Sequence, residues 1–475
     1  MERWLFMYDN TKLNQFKNEI KGRKVAVVGL GVSNIPLIRY LLQLEALITV
    51  FDKREQEKLD QYLYEEFSTK GVKFSLGADY FLNLKGFDYI FRSPSMRPDI
   101  KEVQEEVSRG AILTSEIEML LELSPCKVIG VTGSDGKTTT TTLIYKMLCQ
   151  EGYHCYLGGN IGTPLFSLID EMQPEDIVVL ELSSFQLLTA KVSPQIAVVT
   201  NVAPNHLDIH KDYDEYINAK KNIYLNQSEN DMVVLNYDNE ITKSFADSAK
   251  GKVRFFSTHS QLQNGVILSD DTVINIVENG DLRPVINSEE VLLLGRHNLE
   301  NCCTAMAAVK DMVSVNAMRE VLTTFKGVEH RNELVRTVNG VTWRNDSIGS
   351  SPSRTIAGLY SFKQKVILIA GGYDKHLEYD GLGEVILQKA KALVLLGQTS
   401  QKIKTATVNA MAKENIKKSE LPIIECKSLE EAVEEARDLA KENDIVFFSP
   451  ASASFDMFKN FEERGKKFKE LVNNI

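Results

Sequence analysis

Val128-Ile129-Gly130-Val131-Thr132-Gly133-Ser134-Asp135-Gly136-Lys137-Thr138 runs from an apolar strand through a glycine-rich turn to a lysine and a hydroxyl. That order of parts suits a nucleoside triphosphate. Gly133 and Gly136 let backbone N–H groups turn inward without Cβ clashes, and the following helix directs its positive end at phosphate. Lys137 neutralises charge, and Thr138 is placed to ligate Mg²⁺. The segment predicts ATP binding. Val131 stands where the common G-x-x-x-x-G-K-[ST] pattern has its first glycine, so the loop belongs to a variant class. The plain alternative is a strand-turn-helix with two incidental glycines; the strand, the spacing and the Lys-Thr pair all favour phosphate. A carboxylate about 4 Å from a phosphate charge costs about 4 kcal/mol at an effective dielectric of about 20. Asp135 is therefore expected to point away, or to face the metal.

At 475 residues the chain is too long for one core, and about 150 residues per domain gives three. Acidic residues outnumber basic ones, 65 to 55, and no Lys/Arg run is long enough to track a nucleic-acid backbone, which makes nucleic acid a poor candidate partner. Six cysteines show no C-x-x-C spacing, the pattern of reduced thiols in a cytosol. Met1-Glu2-Arg3-Trp4-Leu5-Phe6 carries charge too early for a signal peptide, and no uninterrupted apolar run reaches about 18 residues. The expectation is a cytoplasmic protein without membrane insertion.

Residues 24–124 alternate apolar strands (24–29, 47–52, 87–91) with helical stretches, which argues a parallel sheet with crossover helices. The first turn, Gly29-Leu30-Gly31-Val32-Ser33-Asn34, lacks the third glycine of the dinucleotide fingerprint. Asp52 stands where a ribose-binding acid would, but Lys53 and Arg54 follow at once. A nucleotide-like ligand is expected, with NAD the lesser alternative. After Ser124-Pro125 a second α/β unit opens at the phosphate loop, with strands at 176–181, 195–200 and 232–235. Residues 251–295 read as short β pieces forming a small attached sheet, with Asn279-Gly280 a turn. A third alternating unit starts near Gly327, with strands at 365–370, 392–396 and 444–448. The predicted architecture is three α/β domains in series. These are a Rossmann-like domain over 1–124, a central P-loop ATPase-like mixed-sheet domain over 125–327, and a Rossmann-like carboxyl-terminal domain over 328–475.

Glu181 ends an apolar strand in Leu180-Glu181-Leu182-Ser183-Ser184-Phe185-Gln186, where a carboxylate can reach Mg²⁺ beside the phosphate loop; the plain alternative is a surface or capping acid. Gly158-Gly159-Asn160-Ile161-Gly162 offers one amide among backbone groups that a ligand can approach, although such clusters are usually turns. His206, in the loop after the strand ending at Thr200, is expected beside Glu181. Lys220 and Lys221 lie on a helical stretch, and periodicity alone makes both solvated. A lysine can react with CO₂ to give a metal-ligating carbamate, but only as the neutral amine, under about 0.1% of molecules at pH 7 if unperturbed. Burial would be required.

Together these residues resemble the Mur ligase family, which builds the peptide stem of peptidoglycan by ATP-driven amide formation. The resemblance covers nearly the whole chain and rests on five motifs in order. T-G-[ST]-x-G-K-[ST] falls at 132–138, G-G-N-x-G at 158–162, E-x-S-S-[FY]-Q at 181–186, H-N-x-x-N at 297–301 and H-R at 330–331. Ser449-Pro450-Ala451-Ser452-Ala453-Ser454-Phe455-Asp456-Met457-Phe458-Lys459-Asn460-Phe461-Glu462-Glu463-Arg464-Gly465 looks like the signature of the D-glutamate-adding branch. That implies an acid–amino-acid ligase acting in cell-wall synthesis, with UDP-N-acetylmuramoyl-L-alanine and D-glutamate as substrates, two Mg²⁺ ions and a monomeric chain. By the resemblance, Gly133, Ser134, Asp135, Gly136, Lys137, Thr138 and Thr139 hold ATP, Asn298 and Asn301 flank adenine, Arg331 reaches phosphate and Asp346 the ribose. Thr138, Glu181, His206 and a carbamylated Lys220 serve the metals, and Lys137, His206, Lys220 and Arg331 carry the catalysis. Val32, Ser33, Asp52, Lys53, Arg54, Ser93, Asn160, Ser183 and Gln186 receive the UDP-substrate; Ser350, Lys375, Ser454 and Phe461 surround D-glutamate.

Three positions depart from the family pattern. The usual D-S-K-A-T-N reads Asp346-Ser347-Ile348-Gly349-Ser350-Ser351, leaving Arg354 as the candidate to supply the missing charge. Asn205 replaces the acid before the histidine, and Ser93-Pro94-Ser95 replaces S-P-G. Within the class, the alternatives are ligation of another amino acid or acceptor, as in L-alanine addition or folate polyglutamylation. Outside it stands a dinucleotide-dependent oxidoreductase built on Gly29-Leu30-Gly31, or a nucleotide-binding protein without ligase activity.

Overall fold

The computed structural model describes residues 9–204, 210–375, 377–414 and 421–475. By internal contacts the chain forms two units. One runs to Ser288 and takes in Glu300–Val321; the other comprises Glu289–Leu299 and Leu322–Ile475.

The first unit contains two sheets. In one, strands β1 (Lys24–Val28), β2 (Leu47–Asp52), β3 (Lys73–Leu76), β4 (Tyr89–Phe91) and β5 (Ile112–Thr114) are ordered β3-β2-β1-β4-β5, all parallel. The order reverses between β1 and β4, so their carboxyl ends flank the crevice where open α/β sheets bind ligands. Gly29 (φ +87) and Ser93 face each other there, the serine Oγ 3.2 Å from where a Cβ on the glycine would stand.

The other sheet holds β6 (Lys127–Thr132), β7 (Cys155–Gly159), β8 (Ile177–Glu181), β9 (Ile196–Val199), β10 (Met232–Asn236), β11 (Lys252–Ser257), β12 (Gly265–Ser269), β13 (Val273–Glu278) and β14 (Asp281–Asn287). Their order is β14-β13-β12-β11-β10-β9-β6-β8-β7. The short β pieces expected over 251–295 as a small attached sheet do form, but they extend this sheet rather than making one of their own. β11 pairs parallel with β10 from Met232↔Lys252 onward, which satisfies an otherwise open sheet edge, and β12 continues it. β13 and β14 then return antiparallel through Asn279-Gly280, both at positive φ as a tight hairpin turn requires.

A continuous apolar core joins the two sheets. Phe166, fully buried, packs edge-on against Phe16 at 6.0 Å and Tyr40 at 5.4 Å. Glu116 accepts hydrogen bonds from the backbone N–H groups of Leu165 (3.1 Å) and Phe166 (2.9 Å).

The second unit carries β15 (Glu333–Val338), β16 (Val341–Asn345), β17 (Val366–Ala370), β18 (Ala390–Leu396), β19 (Ile423–Cys426) and β20 (Ile445–Phe448), ordered β15-β16-β20-β17-β18-β19. All pairs are parallel except β15 with β16. The central strands are apolar and buried along their length, as a parallel sheet covered on both faces requires. The carboxyl ends of β16, β17 and β20 lead into Asp346, Gly371-Gly372-Tyr373 and Ser449–Ala453, and Gly371 N–H donates to Pro450 O at 2.8 Å.

Candidate active site

In the first unit, β6 delivers the chain into the phosphate loop, and Gly136 (φ +78) caps the helix Lys137–Glu151. A Cβ on Gly133 (φ +151) would collide with Thr200 Oγ1, and one on Gly136 with Asn301 Oδ1. Both positions therefore need glycine for approach as well as for backbone angle. The loop is braced from behind. Ser134 Oγ donates to Ala203 O (2.9 Å) and bonds Tyr216 OH (2.8 Å). Asp135 N–H donates to Asn201 Oδ1 (2.9 Å), and Thr200 Oγ1 donates to Asp135 O (2.6 Å). Asp135 is exposed, whereas Thr139 is buried. Lys137 Nζ folds back onto Gly133 O (3.0 Å) and Ser134 O (2.9 Å), next to the N-terminal N–H groups of its own helix.

Lys220 corrects its reading from periodicity. It is buried on the helix Tyr213–Leu225, its Nζ donates to Gly133 O at 2.7 Å, and it lies 4.6 Å from the centre of the Tyr216 ring. Burial, then the nearby Lys137 charge, pushes its pKa well below the ordinary lysine value, with Asp135 opposing. That shift raises the share of neutral, nucleophilic amine.

Glu181, at the end of β8, is 2% exposed. Its Oε1 accepts from Asn160 Nδ2 at 2.8 Å, and its Oε2 is buried without a partner among the described residues. Asn160 is thus brought to Glu181, and its backbone N–H also donates to Glu181 O at 2.8 Å. Ser183 and Gln186 form a reciprocal capping box on the short helix Ser184–Leu187, which gives the E-x-S-S-F-Q motif a local structural cause. Gln186 also faces a small cavity with Ser33, Arg92 and Glu116. His206, and with it the expected histidine beside Glu181, lies outside the described residues.

At the β1/β4 crevice, Asp52 is buried and accepts from Leu30 N–H (2.8 Å) and from Arg54 through N–H (3.0 Å), Nε (2.9 Å) and Nη2 (2.6 Å). Burial raises its pKa, but these hydrogen bonds and the Arg54 charge outweigh it and hold the carboxyl at about 2. Val32 is exposed, as are Lys53 and the Ser93–Ser95 hydroxyl pair, whose oxygens lie 3.3 Å apart.

Asn301 is buried in the first unit, whereas Asn298 counts with the second and donates to Leu294 O at 2.7 Å. Arg331 follows His330, a non-glycine at φ +63, and its Nε is buried with no partner among the described residues. Asp346 accepts from Asn332 N–H (3.0 Å) and Ser449 Oγ (2.7 Å), and burial pushes its carboxyl up to about 6 against those bonds and the Arg331 charge. Arg354 Nη1 donates to Ile348 O (3.3 Å), and Ser350 is half-buried. Tyr373 and Ala453 form an antiparallel bridge that brings the Lys375 and Ser454 segments together. Phe461 packs edge-on against His330 at 6.2 Å.

Sequence reasoning missed Tyr216, Thr200, Asn201 and Arg464. Tyr216 sits four residues before Lys220, one helical turn away, a signal available in the sequence. Arg464, buried and donating to Ser347 O (2.8 Å), Ser452 O (3.1 Å) and Ala453 O (2.8 Å), had no such signal.

A parallel sheet ending in a glycine loop, with a lysine and a buried carboxylate whose Oε2 has no partner among the described residues at adjoining strand ends, defines an α/β nucleotide-binding enzyme. Known proteins narrow the class. The Mur ligase MurD-like N-terminal domain matches residues 23–115, the Mur ligase middle domain 131–309, and the Mur ligase glutamate ligase domain 330–452. A UDP-N-acetylmuramoylalanine–D-glutamate ligase of Acetivibrio thermocellus is 56% identical, covering 98% of this chain and 99% of its own. One of Ruminiclostridium cellulolyticum is 52% identical over 98% and 100%. The chain belongs to the Mur ligase family. Among solved structures, the UDP-N-acetylmuramate–alanine ligase of Thermotoga maritima shares the fold at TM-score 0.58 and 16% identity, covering 95% of this chain and 99% of that one.

Proposed function

We propose that the protein joins D-glutamate to UDP-N-acetylmuramoyl-L-alanine, driven by ATP, in peptidoglycan precursor synthesis. Support comes from full-length relatives named for that reaction and from the phosphate loop whose carbonyl at Gly133 receives both Lys137 and Lys220. That shared carbonyl is the observation that carries the reading, because it sets two amines at the mouth of a helix built for anions. A carboxylate acylates poorly because oxide is its leaving group. Transfer of the γ-phosphoryl group to the alanyl carboxylate gives an acyl phosphate and ADP, and attack by the D-glutamate amine then releases phosphate.

Lys137 and the helix N-terminus bind and orient the phosphates, and Arg331, its Nε without a partner among the described residues, stabilises charge on the transferring group. Ser134, Asp135, Thr138, Thr139, Asn298, Asn301 and Asp346 complete the ATP site. Glu181 Oε2 suits a metal ion, being buried and without a donor among the described residues. Thr138, Glu181, His206 and Lys220 as its carbamate would hold Mg²⁺, which supplies charge stabilisation when bound. The β1/β4 crevice, with Val32, Ser33, Asp52, Lys53, Arg54 and Ser93, receives the uridine diphosphate end; Asn160, Ser183 and Gln186 contact the same substrate. Ser350, Lys375, Ser454 and Phe461 bind D-glutamate. The domains are bounded at 124/125 and 327/328, and the enzyme works as a cytoplasmic monomer. No helix among the described residues is long and apolar enough to cross a membrane.

Purified protein with ATP, Mg²⁺ and the nucleotide-sugar is expected to release phosphate only when D-glutamate is added. Equal release with L-alanine, or without any amino acid, would overturn the assignment.

A further inference from the structure

Phe455 is 60% exposed in the loop after β20, although a phenylalanine gains nothing from water contact. Its placement is nonetheless fixed. Tyr373 N–H donates to Ala453 O at 2.9 Å, and Ser454 O accepts from Met457 N–H (3.1 Å) and Phe458 N–H (2.8 Å). The buried Arg464 guanidinium holds Ala453 O at 2.8 Å. On that base the Tyr373 and Phe455 rings meet edge to face, centroids 5.8 Å apart at 72°. Lys375 Nζ stands 5.9 Å from the centre of the Phe455 ring.

The neighbouring lysine shows the contrast: Lys402 is neutralised by Asp374 at 2.6 Å. Lys375 makes no ion pair among the described residues. A ring face attracts an ammonium through its quadrupole without cancelling its charge. Lys375 is thereby restrained and still free to attract an anion, whereas a carboxylate partner would compete with substrate.

We propose that Phe455 is a positioning residue for the amino-acid substrate, its ring braced by Tyr373 and holding the Lys375 ammonium where it meets the side-chain carboxylate of D-glutamate. This rests on the reading that Lys375 binds D-glutamate. The test is steady-state phosphate release by the full chain, titrating each substrate separately. Phe455→Leu, which keeps an apolar side chain but no ring face, is expected to raise the KM for D-glutamate about three-fold, the worth of an exposed cation–π contact. The KM values for ATP and nucleotide-sugar should hold, and Phe455→Tyr should restore the wild-type value. Phe455→Leu indistinguishable from wild type, or KM rising alike for all three substrates, would overturn the inference. Lys375→Met separates the two claims. It should raise the D-glutamate KM more than ten-fold, as loss of a charge-assisted bond does, and make Phe455→Leu silent in the double variant. An unchanged KM in Lys375→Met refutes the lysine reading itself; a raised KM there with a wild-type Phe455→Leu refutes only the role of the ring.

Discussion

Replacing Asp346 by asparagine is expected to stabilise the second unit at neutral pH while weakening its proposed nucleotide contact. Burial shifts this carboxyl from 3.8 to about 6. A folded-state pKa above the unfolded one means that the native state holds the proton more tightly. The resulting penalty is absent below about pH 4, grows as pH rises, and is complete above about pH 6. At about 1.4 kcal/mol per unit, the shift costs the folded state about 3 kcal/mol at pH 8 and about half that at pH 5. Asparagine cannot ionise, so it escapes the penalty. Its oxygen still accepts from Asn332 N–H, but its amide faces Ser449 Oγ, which donates to the aspartate at 2.7 Å. That hydroxyl must reverse and donate instead to Thr355 Oγ1, 2.8 Å away, at about 1 kcal/mol. The net gain is about 2 kcal/mol at pH 8, a rise in Tm of about 4–8 °C for a unit of this size, and close to nothing at pH 5. Calorimetric melting of both proteins from pH 5 to pH 8 measures it. A variant that melts lower than wild type at pH 8, or by the same offset at every pH, would refute the argument.

Three further substitutions test other parts of the framework. Gly133→Ala places a Cβ on Thr200 Oγ1 at a φ of +151 and displaces the bond from Thr200 to Asp135 O; a loss of about 2–4 kcal/mol is expected, with ATP affinity falling in calorimetric titration, and an unchanged melting curve and affinity would contradict it. Lys220→Met removes the amine that bonds Gly133 O, so ligation should collapse and bicarbonate should stimulate only the wild type; activity surviving in the variant would exclude the carbamate. Phe166→Ala empties the space between Phe16 and Tyr40 at about 3–5 kcal/mol, read as a lower denaturant midpoint, and a wild-type midpoint would mean that the shared core contributes little.

The parallel strands were legible because an apolar run buried on both faces leaves little else for the chain to do, as at Val366–Ala370 and Ala392–Leu396. The loop from Gly133 to Thr138 was legible because glycine, lysine and threonine each answer a separate demand of phosphate. Lys220 was not, since a helix of modest polarity looks the same whether its lysine meets water or a carbonyl 87 residues away. Burial is a property of what packs against the helix. The same holds for Asp52, whose position suggested ribose but whose carboxylate is already engaged by Leu30 and Arg54. Residues 251–295 misled for a related reason: strand content is local, while membership of a sheet depends on which edge is free.

Several groups that cost the fold stability lie where ligands are proposed to bind. Lys220 is buried against its charge, Glu181 Oε2 and Arg331 Nε are buried without partners among the described residues, and Asp346 is held in a setting that favours its neutral form. Each of the two partnerless atoms costs about 1–3 kcal/mol, a large share of a domain's whole stability. Such costs persist only if the apolar strands beneath offset them and the ligands then satisfy the groups. Binding would add RT ln(1 + [L]/Kd), about 2.7 kcal/mol at a hundred-fold excess over Kd. The same arithmetic separates Asp52 from the others. Its carboxylate is satisfied within the fold, so uridine nucleotides should stabilise the chain less through that residue than adenine nucleotides do through the unsatisfied groups at the phosphate loop.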